Sequence, residues 1–156
     1  MTDAEWSSET RAALQRDGYR SGGARHAVID LLGRQDCCLS AQEIFDRLRA
    51  EGRTVGIASV YRVLDLLSEK GLIQRVDIGD STTRFEPAHT GGEHHHHLVC
   101  RDCGKVEAFA DEGLEQALRS VEQRSGYAGA GHDVLLRGEC GDCRSAGEDD
   151  RVRATA

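Results

Sequence analysis

The sequence lacks any apolar run approaching the roughly 20 residues that cross a bilayer, so no membrane-spanning helix is expected. An export signal is missing too: the opening MTDAEWSSETRAALQ is polar and acidic, and the chain is expected to work in a reducing cytoplasm. Proline is nearly absent, with one residue in 156, Pro87. There is no His-Glu-x-x-His, the zinc-protease motif. The zinc deaminase signature fails as well, since Val99 and not proline precedes Cys100. A zinc-dependent enzyme is therefore the weaker alternative, and no enzymatic activity is expected.

Net positive charge is also lacking. The formal charge of −7 argues at first against a nucleic-acid partner. Its distribution is uneven, however. Residues 11–75 carry 11 Lys and Arg against 8 Asp and Glu, a balance of +3, while the remainder carries −10. DNA binding depends on a local basic face rather than on the chain total, and the first half permits one. Four of the six cysteines form two Cys-x-x-Cys pairs, Cys100 with Cys103 and Cys140 with Cys143. In a chain without an export signal that pattern favours zinc thiolate over disulfides.

Residues 8–86 read as a small domain of helices and a hairpin. Ser8 precedes a short helix that stops near Gly18. GARHAVIDLLGR places Ala24, Ala27, Val28, Leu31 and Leu32 at helical spacing. Ser40 and Glu43 form a capping box for the helix SAQEIFDRLRAEG, which Gly52 ends. In ASVYRVLDLLSEKG, Val60, Val63, Leu64 and Leu67 make one apolar face, which leaves Tyr61, Arg62, Asp65 and Glu69 off it. Such a helix suits the recognition element of a helix-turn-helix, or else is a plain surface helix. Two β-rich stretches then flank GDS, a hairpin turn. Helices followed by a two-stranded hairpin is the order of a winged helix. PAHTGGE, residues 87–93, reads as a hinge.

The second half, residues 94–143, centres on HHHHLVCRDCGKV (94–106). As a strand, 94–100 points successive side chains to opposite faces. His94 and His96 then share one face, and His95 and His97 the other. One ion about 2.0–2.1 Å from each ring nitrogen cannot readily collect ligands from both faces. The histidines therefore divide into two pairs and the cysteines form a third group, giving three metal sites. The alternative is a surface histidine cluster that scavenges metal. KVEAF reads as the antiparallel partner strand, residues 111–126 as an amphipathic helix with Leu114, Ala117, Leu118 and Val121 inward, and HDVLLRG (132–138) as a last strand. The expected class is α+β, with a three-stranded antiparallel sheet in this half. Residues 144–156 are expected to be a disordered tail.

The order of elements, together with SAQEIFDRL, GIASVYRVLDLLSEKGLI, RFE, HHHHLVCRDCGKV, His132 and CGDC, resembles the ferric uptake regulator family of bacterial metal-responsive repressors. The resemblance covers roughly residues 10–143 and implies a winged-helix DNA-binding domain joined to an α/β dimerisation domain. It implies homodimers that grip pseudo-palindromic double-stranded operators when metal is bound. Cys100, Cys103, Cys140 and Cys143 match a structural Zn(2+) site. His94, His96, Glu115 and His132 match a second site, and His95 and His97 a regulatory one. Glu86 matches a carboxylate ligand of iron-type members, and His89 lies near a cysteine of zinc-type members. Cys38 stands where iron-type members have histidine; it either joins the regulatory site or is a buried thiol. Ala108 replaces a further carboxylate. The regulatory ion is thus Zn(2+) or Fe(2+).

For DNA, the resemblance carries Tyr61 and Arg62 to base and phosphate contacts, Ser59 to a phosphate, Arg20 to the minor groove and Arg25 to the backbone. The expected function is repression of metal-uptake genes, with a peroxide-sensing repressor of the same family as the alternative.

Overall fold

The computed structural model describes residues 3–88, 95–127 and 131–146. The chain divides into two compact units, Met1–Glu93 and His94–Ala156. The order of the first is α1 (Asp3–Arg16), α2 (Gly23–Gly33), β1 (Leu39–Ser40), α3 (Ala41–Ala50), α4 (Ile57–Glu69), β2 (Ile73–Asp77) and β3 (Thr83–Pro87). The second contains β4 (His96–Cys100), β5 (Val106–Phe109), α5 (Glu112–Ser125) and β6 (Leu135–Gly138), with a further helical turn over 141–146.

The core of the first unit follows from the aliphatic spacing. Val60, Val63, Leu64 and Leu67 of α4 are buried as their period requires, against Ile44 and Leu48 of α3 and Val28, Leu31 and Leu32 of α2. The capping box closes in both directions: the Glu43 amide donates to Ser40 Oγ (3.2 Å), and the Ser40 amide to Glu43 Oε2 (2.8 Å). Gly52, just past α3, has φ +74°, a left-handed conformation that lets the helix stop there.

Helix α1 begins at Asp3, well before Ser8. Trp6, Thr10 and Leu14, at i, i+4 and i+8, are all buried, and Ser7 Oγ donates to the Ile29 carbonyl (3.4 Å). Half of that buried face is Ser and Thr, so it carries no apolar stripe to read.

The hairpin β2–β3 pairs Ile73 with Pro87 and Asp77 with Thr83. Pro87, assigned to a hinge by sequence, is the last residue of β3. The two-residue strand β1 adds to its other edge, with Leu39 opposite Phe85, making a three-stranded sheet β1-β3-β2. Arg84 in β3 fastens this sheet. Its side chain is nearly buried and reaches Glu43 (2.6 Å) on α3 and Asp80 (3.3 Å) in the hairpin loop.

The second sheet has the order β5-β4-β6, and it is mixed rather than antiparallel. β4 and β5 are antiparallel, with His96 opposite Phe109, but β6 runs parallel to β4, with Cys100 beside Gly138. The cysteines supply the reason. Cys100 ends β4, and Cys140 lies two residues past β6. Parallel strands bring both ends together, whereas an antiparallel β6 would carry Cys140 to the far end of β4, about 13 Å away at roughly 3.3 Å per residue.

Helix α5 is capped by Asp111, whose Oδ1 accepts from the Leu114 amide (2.7 Å), and ends at Gly126 with φ +72°. No residue of α5 is buried. Leu114 and Leu118 are half-covered, while Ala117 and Val121, expected inward, are exposed, Val121 by 51%. Leu98 and Leu136, neighbours in the β4–β6 register, are exposed as well. One chain supplies too few apolar groups to cover both helix and sheet. Of the expected hinge over 87–93, residues 89–93 lie outside the described residues, as do residues 147–156 of the expected tail over 144–156; residues 144–146 are helical.

Two outcomes follow. Leu64→Ala, at a fully buried site, should destabilise the first unit by about 2–5 kcal/mol in denaturant titration. Burial would raise the Glu43 pKa, but the bonds from Ser40 and Arg84 outweigh it and hold the carboxyl below its usual range. Its stabilisation is therefore present at neutral pH and lost as pH falls through that lowered value. Glu43→Gln should be less stable at neutral pH and lose less of its stability on acidification.

Candidate metal centres and DNA-reading helix

Four sulfurs gather where β4 and β6 end together. Cys100, Cys103, Cys140 and Cys143 have Sγ atoms all within 4.8 Å of one another, and all are thiols rather than disulfides. The knuckle is built by backbone bonds: the Cys100 amide donates to the Lys105 carbonyl (2.9 Å), and the Arg101 amide to the Gly138 carbonyl (2.8 Å). Gly104, with φ +73°, takes the turn. A tetrahedral ion with Zn–S near 2.3 Å sets sulfurs about 3.8 Å apart, and Cys103 Sγ lies 3.7 Å from Cys140 Sγ. The donors fit zinc. Amides of Cys103 and Cys140 push the Cys100 thiol down to about 6, with the Cys140 amide 3.2 Å from the sulfur. That shift favours the thiolate, the form a metal takes. Its neighbours hold the Cys143 thiol up.

The second group lies on one face of β4. His96, fully buried, places Nε2 2.7 Å from Glu115 Oε1 of α5. His132 Nε2 is 3.3 Å from the same oxygen and 3.2 Å from Oε2. All three can offer ligand atoms within 4.8 Å of one another. Two imidazoles and a carboxylate make a borderline donor set suited to Zn(II) or Fe(II). Glu122, two turns further along α5, has Oε1 4.0 Å from His132 Nδ1, a separation too long for a hydrogen bond. The sequence reading did not single out Glu122, whose approach to His132 arises from the fold and not from spacing along the chain. His94 lies outside the described residues.

His95 and His97 occupy the opposite face, with ring centroids 5.1 Å apart. The pleat therefore sorts the described histidines as the alternation predicts. His97 is buried and paired in register with Ala108. His89 is outside the described residues. In the first unit, Glu86 of β3 is buried and accepts from Gln74 Nε2 (2.6 Å). Cys38 is buried just before β1, its thiol pushed far up by Cys37 beside it and by burial.

The polar face of α4 is open. Tyr61 is 51% exposed, and Arg62 is exposed, folded back onto its own helix by bonds to the Ala58 carbonyl (3.2 Å) and Ser59 Oγ (3.3 Å). Near the start of α2, Arg25 bonds the Arg20 carbonyl and lies over the Tyr19 ring, 5.5 Å from its centroid. Lys70 approaches the same ring at 5.3 Å. Tyr19 thus sits between two cations from distant segments, a cluster that spacing along the chain does not show.

Comparison with known proteins agrees with this architecture. The model of the ferric uptake regulator family matches residues 16–137. The ferric uptake regulation protein of Klebsiella pneumoniae is 34% identical over 140 residues, 88% of this chain and 89% of that protein. The zinc uptake regulation protein of Mycobacterium tuberculosis (strain CDC 1551 / Oshkosh) is 38% identical over 130 residues, 82% of this chain and 97% of that protein. Among solved structures, the Helicobacter pylori ferric uptake regulator Fur superposes with TM-score 0.76 at 28% identity, covering 92% of this chain and 95% of that one. The Vibrio cholerae ferric uptake regulator gives 0.71 at 31% identity, covering 83% and 98%. With the family model matched across both units and curated relatives aligned over most of its length, the chain belongs to the ferric uptake regulator family.

Proposed function

We propose that this chain is a metal-dependent DNA-binding repressor of metal-uptake genes, working as a homodimer in the cytoplasm and catalysing no reaction. The observation that carries the reading is the sorting of histidines on β4: His96 meets Glu115 and His132 on one face while His95 and His97 share the other. A surface cluster scavenging metal would need neither burial nor a carboxylate partner, and His96 has both. Three donor sets result, and the H. pylori relative is described as having three functional metal-binding sites.

Cys100, Cys103, Cys140 and Cys143 are assigned to structural zinc, which supplies a four-thiolate crosslink between the two ends of the second unit. His96, Glu115 and His132, with His94, are assigned to a second ion. His95 and His97, with Glu86, His89 and Cys38, are assigned to the regulatory ion, Zn(II) or Fe(II). In chain order Cys38 and Glu86 precede residues 89–94, His95 and His97 follow them, and His89 lies within them. Leu98 and Leu136, neighbours across β4 and β6, and Val121 on α5 are exposed apolar side chains of the kind a second copy covers. Two copies then present two α4 helices to half-sites one helical turn apart, about 34–36 Å. Tyr61 and Arg62 read the major groove, while Ser59, Arg20 and Arg25 hold the backbone and minor groove.

Paired His95→Ala and His97→Ala substitutions should leave a folded, zinc-containing dimer that no longer retards operator DNA when metal is added. If that variant bound DNA as wild type does, the regulatory assignment would be wrong. Cys100→Ala should instead lose structural zinc and the dimer, read by metal analysis and sedimentation. Arg62→Ala should weaken operator binding by about 1–3 kcal/mol if it bonds a base, or flatten the salt dependence by about one ion if it bonds a phosphate; titrations at several salt concentrations separate the two.

A further inference from the structure

The connection between α2 and β1 carries two adjacent cysteines, Cys37 and Cys38. Neighbours in an extended strand point to opposite faces, which would hold their sulfurs apart. Here the chain bends at 36–37 before it enters β1, and the two Sγ atoms lie 4.0 Å apart. Both are thiols. Cys38 is 2% exposed and Cys37 half-buried, so one sulfur is shielded and the other can be approached. The segment is anchored at both ends. The Arg34 amide closes α2 on the Leu31 carbonyl (3.3 Å), and Leu39 and Ser40 pair with Phe85 and Arg84 of β3. Glu86, next along β3, is close enough for its charge to act on Cys38.

A hydrophobe-like buried thiol explains Cys38 alone. It does not explain a second sulfur turned to the same side at ligand spacing. Two thiolates on one tetrahedral zinc stand about 3.8 Å apart, within a few tenths of an ångström of the separation present here.

We propose that Cys37 and Cys38 together form a two-thiolate clamp for a soft divalent ion, so that the DNA-reading unit takes Zn(II) in preference to Fe(II) or Mn(II). As each sulfur–metal bond forms, the thiol proton leaves to solvent, and the two thiolates balance the charge of the ion. Sulfur donors select zinc over the harder iron and manganese ions. The regulatory consequence rests on the repressor reading above; the clamp itself rests on the geometry of the two thiols.

The test uses full-length protein with its four clustered cysteines filled by zinc, titrated with Co(II) as a coloured substitute. Thiolate–cobalt bonds give strong near-ultraviolet charge-transfer absorption that histidine and carboxylate ligands do not. Wild type should gain this band, Cys37→Ser should keep about half of it, and the Cys37→Ser/Cys38→Ser double variant should lose it. Cys37 is half-buried, so its serine variant keeps the test open even where loss of Cys38 disturbs folding. A band of equal height in wild type and Cys37→Ser, no band in wild type, or a band that survives in the double variant would overturn the clamp. Operator binding is followed on the same samples. Ion-dependent binding by wild type without the band removes the clamp and leaves the repressor standing. Wild-type binding that ignores every ion removes the repressor reading, and the band still decides the clamp.

Discussion

Strand β4 is five residues long, and its pleat together with its two neighbours arranges the metal chemistry of the second unit. Alternation sends His96 to the side of Glu115 and His132, and His95 and His97 to the other. Its parallel pairing with β6 then sets Cys100 beside Gly138, so that Cys140 arrives at the same end. A slip of one residue would exchange the two histidine faces. A reversal of β6 would separate the cysteine pairs. Local alternation and long-range pairing thus specify the same arrangement, and the donor sets report that both are in place.

Much of this was legible because it depends on short-range periodicity. The α4 stripe, the Ser40–Glu43 capping box and the separation of His96 from His95 and His97 all follow from spacing along the chain, and the structure keeps them. What was not legible depends on partners distant in sequence. The direction of β6 cannot be read from LLRG, since a four-residue strand looks the same in either sense; only the need to join two cysteine pairs decides it. The start of α1 was hidden because Ser7 and Thr10 are buried beside Trp6. The exposure of Val121 reverses an inward assignment, because an amphipathic period shows which face is apolar and not whether the same chain covers it. Cys37 was invisible because its usefulness arises from a bend rather than from a pattern.

The first unit couples its parts through one buried cation. Arg84 joins β3, the start of α3 and the hairpin loop through Glu43 and Asp80. A buried arginine is costly unless its charge is balanced, and here two carboxylates balance it. Glu43 also completes the α3 cap. The position of the hairpin loop and the packing of α3 against α4 are therefore linked through a shared carboxylate. The arrangement of the first unit is set by polar contacts as well as by the aliphatic core.

The donor sets also differ in what they can do, and chemistry ranks them. Four thiolates close a tetrahedron and leave no position open, so such an ion exchanges poorly and suits architecture. The two cysteine pairs are separated by 36 residues, a segment that contains β5, α5 and β6. An ion that joins its ends removes the loop entropy of that whole segment, and α5 needs the help, since none of its residues is buried. Glu115 and His132 both lie within the segment between the two cysteine pairs, so an ion that closes that segment also narrows the positions these two side chains can take. Donor sets with fewer sulfurs and an open position suit an ion whose occupancy follows its concentration.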